Sequence, residues 1–248
     1  CNKTKLTLKK IYGKINSGKI FIAKNIKTAE AAKVIENTQR DINVAFINEI
    51  TKLFKKINIS IFDVLKTAET KWNFLNFQPG FVGGHCIGVD PYYLSYLAKK
   101  KKTESNLILS GRKVNNNFPI FLAQYINQCI TKKNKILVLG LTFKENVSDL
   151  RNTKVIDLIK SLKKKGHKVF VNDECAHKND VKKMNLNLTP LFKKDKYDTI
   201  ILAVAHDNYK KLNYSFFKKK LNKNGKIFDI KAIWKNKKFP KTIDYIIL

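Results

Sequence analysis

Between Pro79 and Tyr93 the chain reads PGFVGGHCIGVDPYY, which gathers a cysteine, an aspartate, a histidine, two prolines and four of the chain's ten glycines. A thiolate is a strong nucleophile, and a carboxylate one helical turn away can activate water against whatever the sulfur has bound. Glycine permits close backbone approach and unusual dihedrals, while proline stiffens the two ends. A structural turn around a small buried thiol is the alternative, but such a turn needs only one or two glycines. The stretch therefore reads as a rigid loop that presents Cys86, with Asp90 beside it.

Two further groups of residues could take part. Lys33, Asn37 and Arg40 stand at i, i+4 and i+7, on one face of a helix, with Glu36 in reach of Lys33 and Arg40. Spacing alone makes this an exposed ion-pair stripe. Farther on, LGLTFKENVSDLRNTK runs from a strand through a polar loop to a helix start, the place where α/β sheets bind ligands. Lys144 and Arg151 supply cations there, and the helix N-terminus supplies amide donors suited to phosphate. Gly140 is alone, so the G-x-G-x-x-G fingerprint of a standard NAD site is missing. Asp173 ends the next strand, where a ribose-binding acid could sit. Cysteines 1, 86, 129 and 175 and histidines 85, 167, 177 and 206 have no metal-binding spacing, so no metal is expected. Cys129 reads as core.

The elements that must position these groups fall into two textures. The first residues suggest a basic helix (LTLKKIYGKI) and a short strand (KIFIAK). From Lys27, about thirty residues rich in helix formers and apolar at 3–4 spacing predict one long helix, with Thr28 as its cap. Shorter helices are expected around 60–70, from Tyr92 to Lys102, and from Pro119 to Thr131 with Pro119 near its first turn. From Lys135 the texture changes. KILVLGLTF, HKVFVND, DTIILAVAHD and GKIFDIKAI read as strands, with helices over NTKVIDLIKSLKKKG and near 207–221. The fold class is α/β: a central helical domain built on one long helix, then a Rossmann-like parallel sheet. The boundaries read as 1–26, 27–132 and 133–248.

A formal charge of +31 over 248 residues would ordinarily point to a polyanionic partner. Here 47 of the 50 basic residues are lysine, amid abundant Asn and Ile, as A- and T-rich codons would write on any surface. No nucleic-acid partner is expected. The three arginines, Arg40, Arg112 and Arg151, then mark positions where a planar guanidinium fork is needed. No apolar run approaches the roughly 20 residues that cross a bilayer, and the first residues lack the apolar block of a secretory signal. The expected setting is the cytoplasm, with free thiols and no membrane contact.

Four blocks, KTAEAAKVIENTQRDINVAFINE, KWNFLNFQPGFVGGHCIGVDPYYL, LGLTFKENVSDLRNTKVIDLI and ILAVAHDNY, together resemble the UDP-glucose/GDP-mannose dehydrogenase family. Within it they look most like the bacterial branch that oxidises UDP-N-acetylhexosamines for surface polysaccharides. The resemblance spans nearly the whole chain in the family's order, and the cysteine loop is its most specific block.

The resemblance implies an NAD-dependent enzyme with an N-terminal NAD-binding domain, a central helical domain that forms a homodimer through its long helix, and a C-terminal UDP-binding domain. By that likeness residues 1–26 are a remnant of the first domain, and the chain is expected to be a fragment inactive by itself. The implied chemistry oxidises the sugar's sixth carbon twice, through a thiohemiacetal and a thioester on Cys86 that water hydrolyses to a uronic acid. Asp90 helps activate that water, while Lys33 and Asn37 stabilise the oxyanion and orient water. Phe143, Lys144, Gly83 and Gly84 contact the UDP-sugar, and Arg151 reaches the cofactor. Thr70 and Lys71 stand where UDP-glucose enzymes carry an arginine that crosses to the neighbouring subunit. A catalytically inactive module that binds nucleotide sugar or dimerises, without a cofactor domain, is the competing reading.

Overall fold

The structure, a computed structural model, describes residues 1–17, 20–130 and 132–248. It divides into two compact units, Cys1–Glu36 and Asn37–Leu248. The first holds helix α1 (Asn2–Ile15), none of whose residues is buried, and the opening turns of α2 (Ile26–Lys56). Asn25, not Thr28, caps α2: its Oδ1 accepts the Thr28 amide at 2.8 Å. The helix starts ahead of Thr28, so Thr28 offers an orphan N–H instead of a cap. The strand expected over KIFIAK does not form in residues 20–24, and Lys19, its first residue, lies outside the described ones. Phe21 is 92% exposed, and no neighbouring strand supplies a ladder there among the described residues.

In the second unit α2 continues, followed by α3 (Ile61–Ala68), α4 (Asp90–Lys100) and α5 (Asn106–Cys129). Ser60 caps α3 by accepting the Asp63 amide. The helix expected to begin at Pro119 is thirteen residues longer at its start, and Pro119 lies inside it, buried. The asparagine run before Pro119 hid this extension, because Asn is a weak helix former. Tertiary packing overrides that weakness: a side chain on Gly111 would touch Ile42 and Ala45 of α2 at 3.5 and 3.6 Å, so the helices pack closely there. Thr131, the expected end of this helix, lies outside the described residues.

The remainder alternates β1 (Lys135–Leu139), α6 (Val155–Lys164), β2 (Lys168–Asn172), α7 (Lys178–Lys183), β3 (Tyr197–Leu202), α8 (Asp207–Lys210), α9 (Tyr214–Lys220), β4 (Leu221–Asp229) and β5 (Asp244–Ile247). All pairings are parallel, in the order β2-β1-β3-β4-β5. This is the doubly wound arrangement, whose order reverses between β1 and β3 and opens a crevice at their carboxyl ends. β5 and α7 carried too little pattern to be expected from sequence. Nor does β1 run on to Phe143; it stops at Leu139.

One core joins helices and sheet. Phe118, Leu122, Ala123 and Ile126 of α5 are buried with Val155, Leu158, Ile159 and Leu162 of α6 and Ile136 and Val138 of β1. Each large aliphatic side chain buried in this way contributes about 1.5–3 kcal/mol. The helical segment is thus seated on the sheet through α6. Among the described residues no helix is long and apolar enough to cross a membrane.

Candidate functional site

The cysteine loop leaves α3 and is fastened residue by residue. Asn48, fully buried on α2, donates to the Gly80 carbonyl and accepts the Gly80 amide, both at 2.9 Å. Gly84 donates its amide to the Arg151 carbonyl at 3.0 Å, and its own carbonyl accepts from Asn152 Nδ2 at 3.0 Å. Gly84 has φ +80°, and a side chain there would lie 2.9 Å from the Phe143 ring; one on Gly83 would lie 2.7 Å from the Asn152 carbonyl oxygen. These two positions need glycine because the loop presses directly on the segment that follows β1.

Beyond Gly84 the chain turns. The Cys86 carbonyl accepts the Val89 and Asp90 amides at 2.9 and 2.8 Å, so Cys86 and Asp90 share one turn at the head of α4. The Cys86 thiol is free and half-buried. Asp90 Oδ2 accepts from Asn37 Nδ2 at 2.6 Å, and Asn37 is 3% exposed. Within Cys1–Glu36, Lys33 is exposed and its Nζ lies 2.7 Å from Glu36 Oε2. The helix face expected from Lys33 and Asn37 therefore shows an ion pair at one position and a contact to the loop's aspartate at the other.

On the sheet side, Gly140 ends β1 with φ +91°; a side chain would meet the Val204 backbone at 2.8 Å, so this lone glycine serves the close passage of two strand ends. The crevice beyond holds a cavity of about 80 Å3 lined by Phe81, Phe143, Lys144, Val204 and Lys231, among others. Lys144 Nζ lies 5.9 Å from the Phe143 ring centre. Lys231, just past β4, was missed by sequence reasoning because one lysine among so many carries no signal. Its amine is packed over Gly80 and 4.0 Å from Glu145 Oε1, and burial, partly offset by Glu145, pulls its pKa down.

Arg151 and Arg112 sit on carboxylates. Arg151 donates from Nε and Nη2 to Asp149, with Nη2 to Oδ2 at 2.5 Å. Hydrogen bonds from Arg151 hold the Asp149 carboxyl down at about 2. His85 Nδ1 lies 3.8 Å from the same carboxylate. Arg112 is buried, with Nη1 at 2.5 Å from Asp41 Oδ1 and Nη2 at 2.8 Å from Asn116 Oδ1. Asn115 adds bonds to Asp41 and receives one from Asn48. Burial still pushes the Asp41 carboxyl up despite Arg112 and Asn115. This network, another feature that sequence did not reveal, carries the loop's anchor Asn48. A polar cavity of about 430 Å3 lies between the loop, α4, α5 and the start of α6, lined by Gly88, Tyr92, Arg112, Asn152 and Lys154. A larger one, about 480 Å3 beside Phe192 and α9, shares no residue with the cysteine loop.

An NAD cradle on this sheet is not supported by the donor set. The turn after β1 has one glycine, already packed against Val204. The ribose-binding role weighed for Asp173 also fails: the side chain is 3% exposed, and its oxygens accept the amides of Leu141, Thr142, Cys175 and Ala176.

Comparison with known proteins agrees with this architecture. The UDP-glucose/GDP-mannose dehydrogenase family matches twice, through its central domain over residues 27–117 and its UDP binding domain over residues 137–236. Protein CapL of Staphylococcus aureus is 45% identical over 230 residues, covering 90% of this chain and 54% of that protein. A UDP-N-acetyl-D-glucosamine 6-dehydrogenase of Salmonella typhi is 42% identical over 210 residues, covering 82% of this chain and 49% of that protein. The solved UDP-N-acetyl-mannosamine dehydrogenase of S. aureus superposes with TM-score 0.73 at 29% identity, over 90% of this chain and 51% of that one. The chain spans about half the length of the curated relatives it matches. It belongs to the UDP-glucose/GDP-mannose dehydrogenase family.

Proposed function

We propose that this chain binds the nucleotide of a UDP-N-acetylhexosamine in the crevice at Phe143 and Lys144 and presents Cys86 to the sugar's sixth carbon. The whole protein's reaction is oxidation of that carbon to a carboxylate for surface polysaccharide synthesis. The observation that carries this reading is the seating of Gly83 and Gly84 on Phe143 and Asn152, which joins the nucleophile's loop to the carboxyl end of the sheet. The division into a remnant at 1–26, a central domain at 27–132 and a UDP-binding domain at 133–248 belongs to the same proposal.

Each group has a role in it. The Cys86 thiolate adds to the carbonyl carbon of the sugar aldehyde and the oxygen takes a proton, giving a thiohemiacetal. The two oxidations require a hydride acceptor, the chemistry NAD would supply when bound, and Arg151 is the residue of this chain that would reach it. In the last step water attacks the thioester carbon, Asp90 accepts the water's proton, the C–S bond breaks, and the thiolate returns. Asn37 holds the Asp90 carboxylate toward this task, and the oxyanion role of Lys33 rests on the family resemblance alone. Lys144, with Lys231 beside it in the cavity, balances the diphosphate.

Two copies are expected to pair along the long helix, where Phe46 and Leu53 are 60% and 51% exposed. The setting that suits a free nucleophilic thiol is the cytoplasm.

Calorimetry of the chain with UDP, UDP-N-acetylglucosamine and UDP-N-acetylgalactosamine tests the binding half. Binding to all three, weakened at least tenfold by Lys144→Ala, is the expected result. A chain that is folded by circular dichroism yet binds none of them would sink the reading.

A further inference from the structure

The segment that bears Phe143 and Lys144 has no strand ladder to hold it, since β1 stops at Leu139. Three of its backbone amides are taken up by two buried side chains from neighbouring strand ends, and the Phe143 amide goes to the Asp149 carbonyl at 3.1 Å. Asp173, after β2, accepts the Leu141 and Thr142 amides on Oδ2 at 2.6 and 2.9 Å. His206, after β3, accepts the Asn146 amide on Nδ1 at 2.9 Å. With Nδ1 an acceptor, the neutral ring's proton sits on Nε2, which lies 3.1 Å from Asp173 Oδ2 and 3.2 Å from Thr142 Oγ1. The Thr142 hydroxyl in turn donates to the Lys144 carbonyl at 3.0 Å. The two side chains are 3% and 1% exposed. Residues 141–146 are therefore fastened at both ends and in the middle.

The ligand atoms of Asp173, Cys175 and His206 lie within 4.8 Å of one another, as a metal site would require. Their lone pairs are already used. Asp173 Oδ1 takes the Cys175 and Ala176 amides at 2.8 and 3.0 Å, Oδ2 takes two more, and His206 Nδ1 takes the Asn146 amide. Burial, reinforced by Asp173 and Glu174, pushes the Cys175 thiol's pKa up and keeps it protonated. The cluster spends its acceptors on the backbone instead of a cation.

We infer that Asp173 and His206 are positioning residues that fix the backbone of residues 141–146 and so aim Phe143 and Lys144 at the nucleoside diphosphate. The inference rests on the proposed UDP site, although the fastening itself can be measured without ligand. It does not touch the reacting carbon.

Two substitutions separate the contacts. His206→Asn keeps an acceptor near the position of Nδ1, while His206→Gln places its amide near that of Nε2 and leaves no acceptor near Nδ1. Hydrogen exchange over residues 141–146 and calorimetry with UDP would be measured on both variants of the full chain. His206→Gln is expected to speed exchange in that segment alone and to weaken UDP binding roughly tenfold. His206→Asn should stay within about threefold of the unsubstituted chain in affinity. Unchanged exchange and affinity in His206→Gln, or loss of protection spread across the whole sheet in both variants, would overturn the assignment. If the unsubstituted chain bound no UDP, the nucleotide reading would fall, and the exchange data would still judge the fastening.

Discussion

Asn37 donates its side-chain amide to the Asp90 carboxylate at 2.6 Å, linking the long helix to the residue that opens the helix after the cysteine loop. Asn37 is 3% exposed, so its amide has no ready substitute partner in water. Asp90→Ala should cost about 1–3 kcal/mol of stability by stranding a buried donor. Asp90→Asn keeps an acceptor oxygen and should cost less than about 1 kcal/mol, while removing the base proposed for hydrolysis. In a dehydrogenase assay of the whole protein, Asp90→Asn should then accumulate a covalent adduct on Cys86, visible by intact mass, that the unsubstituted protein turns over. Equal turnover in Asp90→Asn and the unsubstituted protein would remove Asp90 from the mechanism.

Gly84 gives a second, purely structural expectation. At φ +80° and with the Phe143 ring 2.9 Å from where a Cβ would stand, Gly84→Ala meets both backbone strain and a clash. A loss of about 1–3 kcal/mol is expected in denaturant titration. Adding Phe143→Ala removes the clash but leaves the strain, so the double variant should lose less than the sum of the single ones. Strict additivity would mean that the loop does not press on Phe143 in solution.

The parts of this molecule legible in sequence were those written in periodicity and rare residue types. The long helix, the four strands from β1 to β4 and the glycine loop all had such signals. What stayed hidden depends on partners distant in the chain. Asp173 looked like a ribose acid because its strand-end position is visible, whereas the four amides that consume its oxygens come from two separate turns. Pro119 looked like a helix start because proline favours first turns, yet packing of α5 on α2 and α6 carries the helix through it. Asn48 and Lys231 belong to the commonest residue types of this lysine- and asparagine-rich chain, so composition masked them. Of the scarce arginines, Arg151 holds its carboxylate through two nitrogens and Arg112 holds Asp41 through one.

That contrast sets up a test of Arg112. Its guanidinium faces Asp41 in a site where both side chains are at most 3% exposed, and Asp41 also receives Asn115. Arg112→Met would leave a buried carboxylate without its counter-ion and should cost about 3–5 kcal/mol. Replacing both, as Asp41→Asn with Arg112→Met, should recover much of that loss because the uncompensated charge is gone. Chemical denaturation of the two variants and the unsubstituted chain measures the difference. A double variant no better than Arg112→Met alone would show that the guanidinium's packing, not its charge, matters.

His167 links stability to pH. It is 6% exposed, its Nδ1 accepts the Asn134 amide at 3.1 Å, and its Nε2 lies 3.1 Å from Asn127 Oδ1. Both contacts are met by the neutral ring with its proton on Nε2, and burial lowers the folded pKa from the ordinary value of 6.5. Below about pH 6.5 the unfolded chain therefore binds a proton that the folded chain refuses. The contribution of this residue is complete above that pH and is lost as pH falls through the depressed folded value. Its share of the slope cannot exceed about 1.4 kcal/mol per pH unit, the value for one proton. His167→Gln retains an amide donor but cannot ionise, so its stability should fall less steeply as pH drops below about 6.5. Parallel curves for the variant and the unsubstituted chain across that window would place the acid-labile group elsewhere.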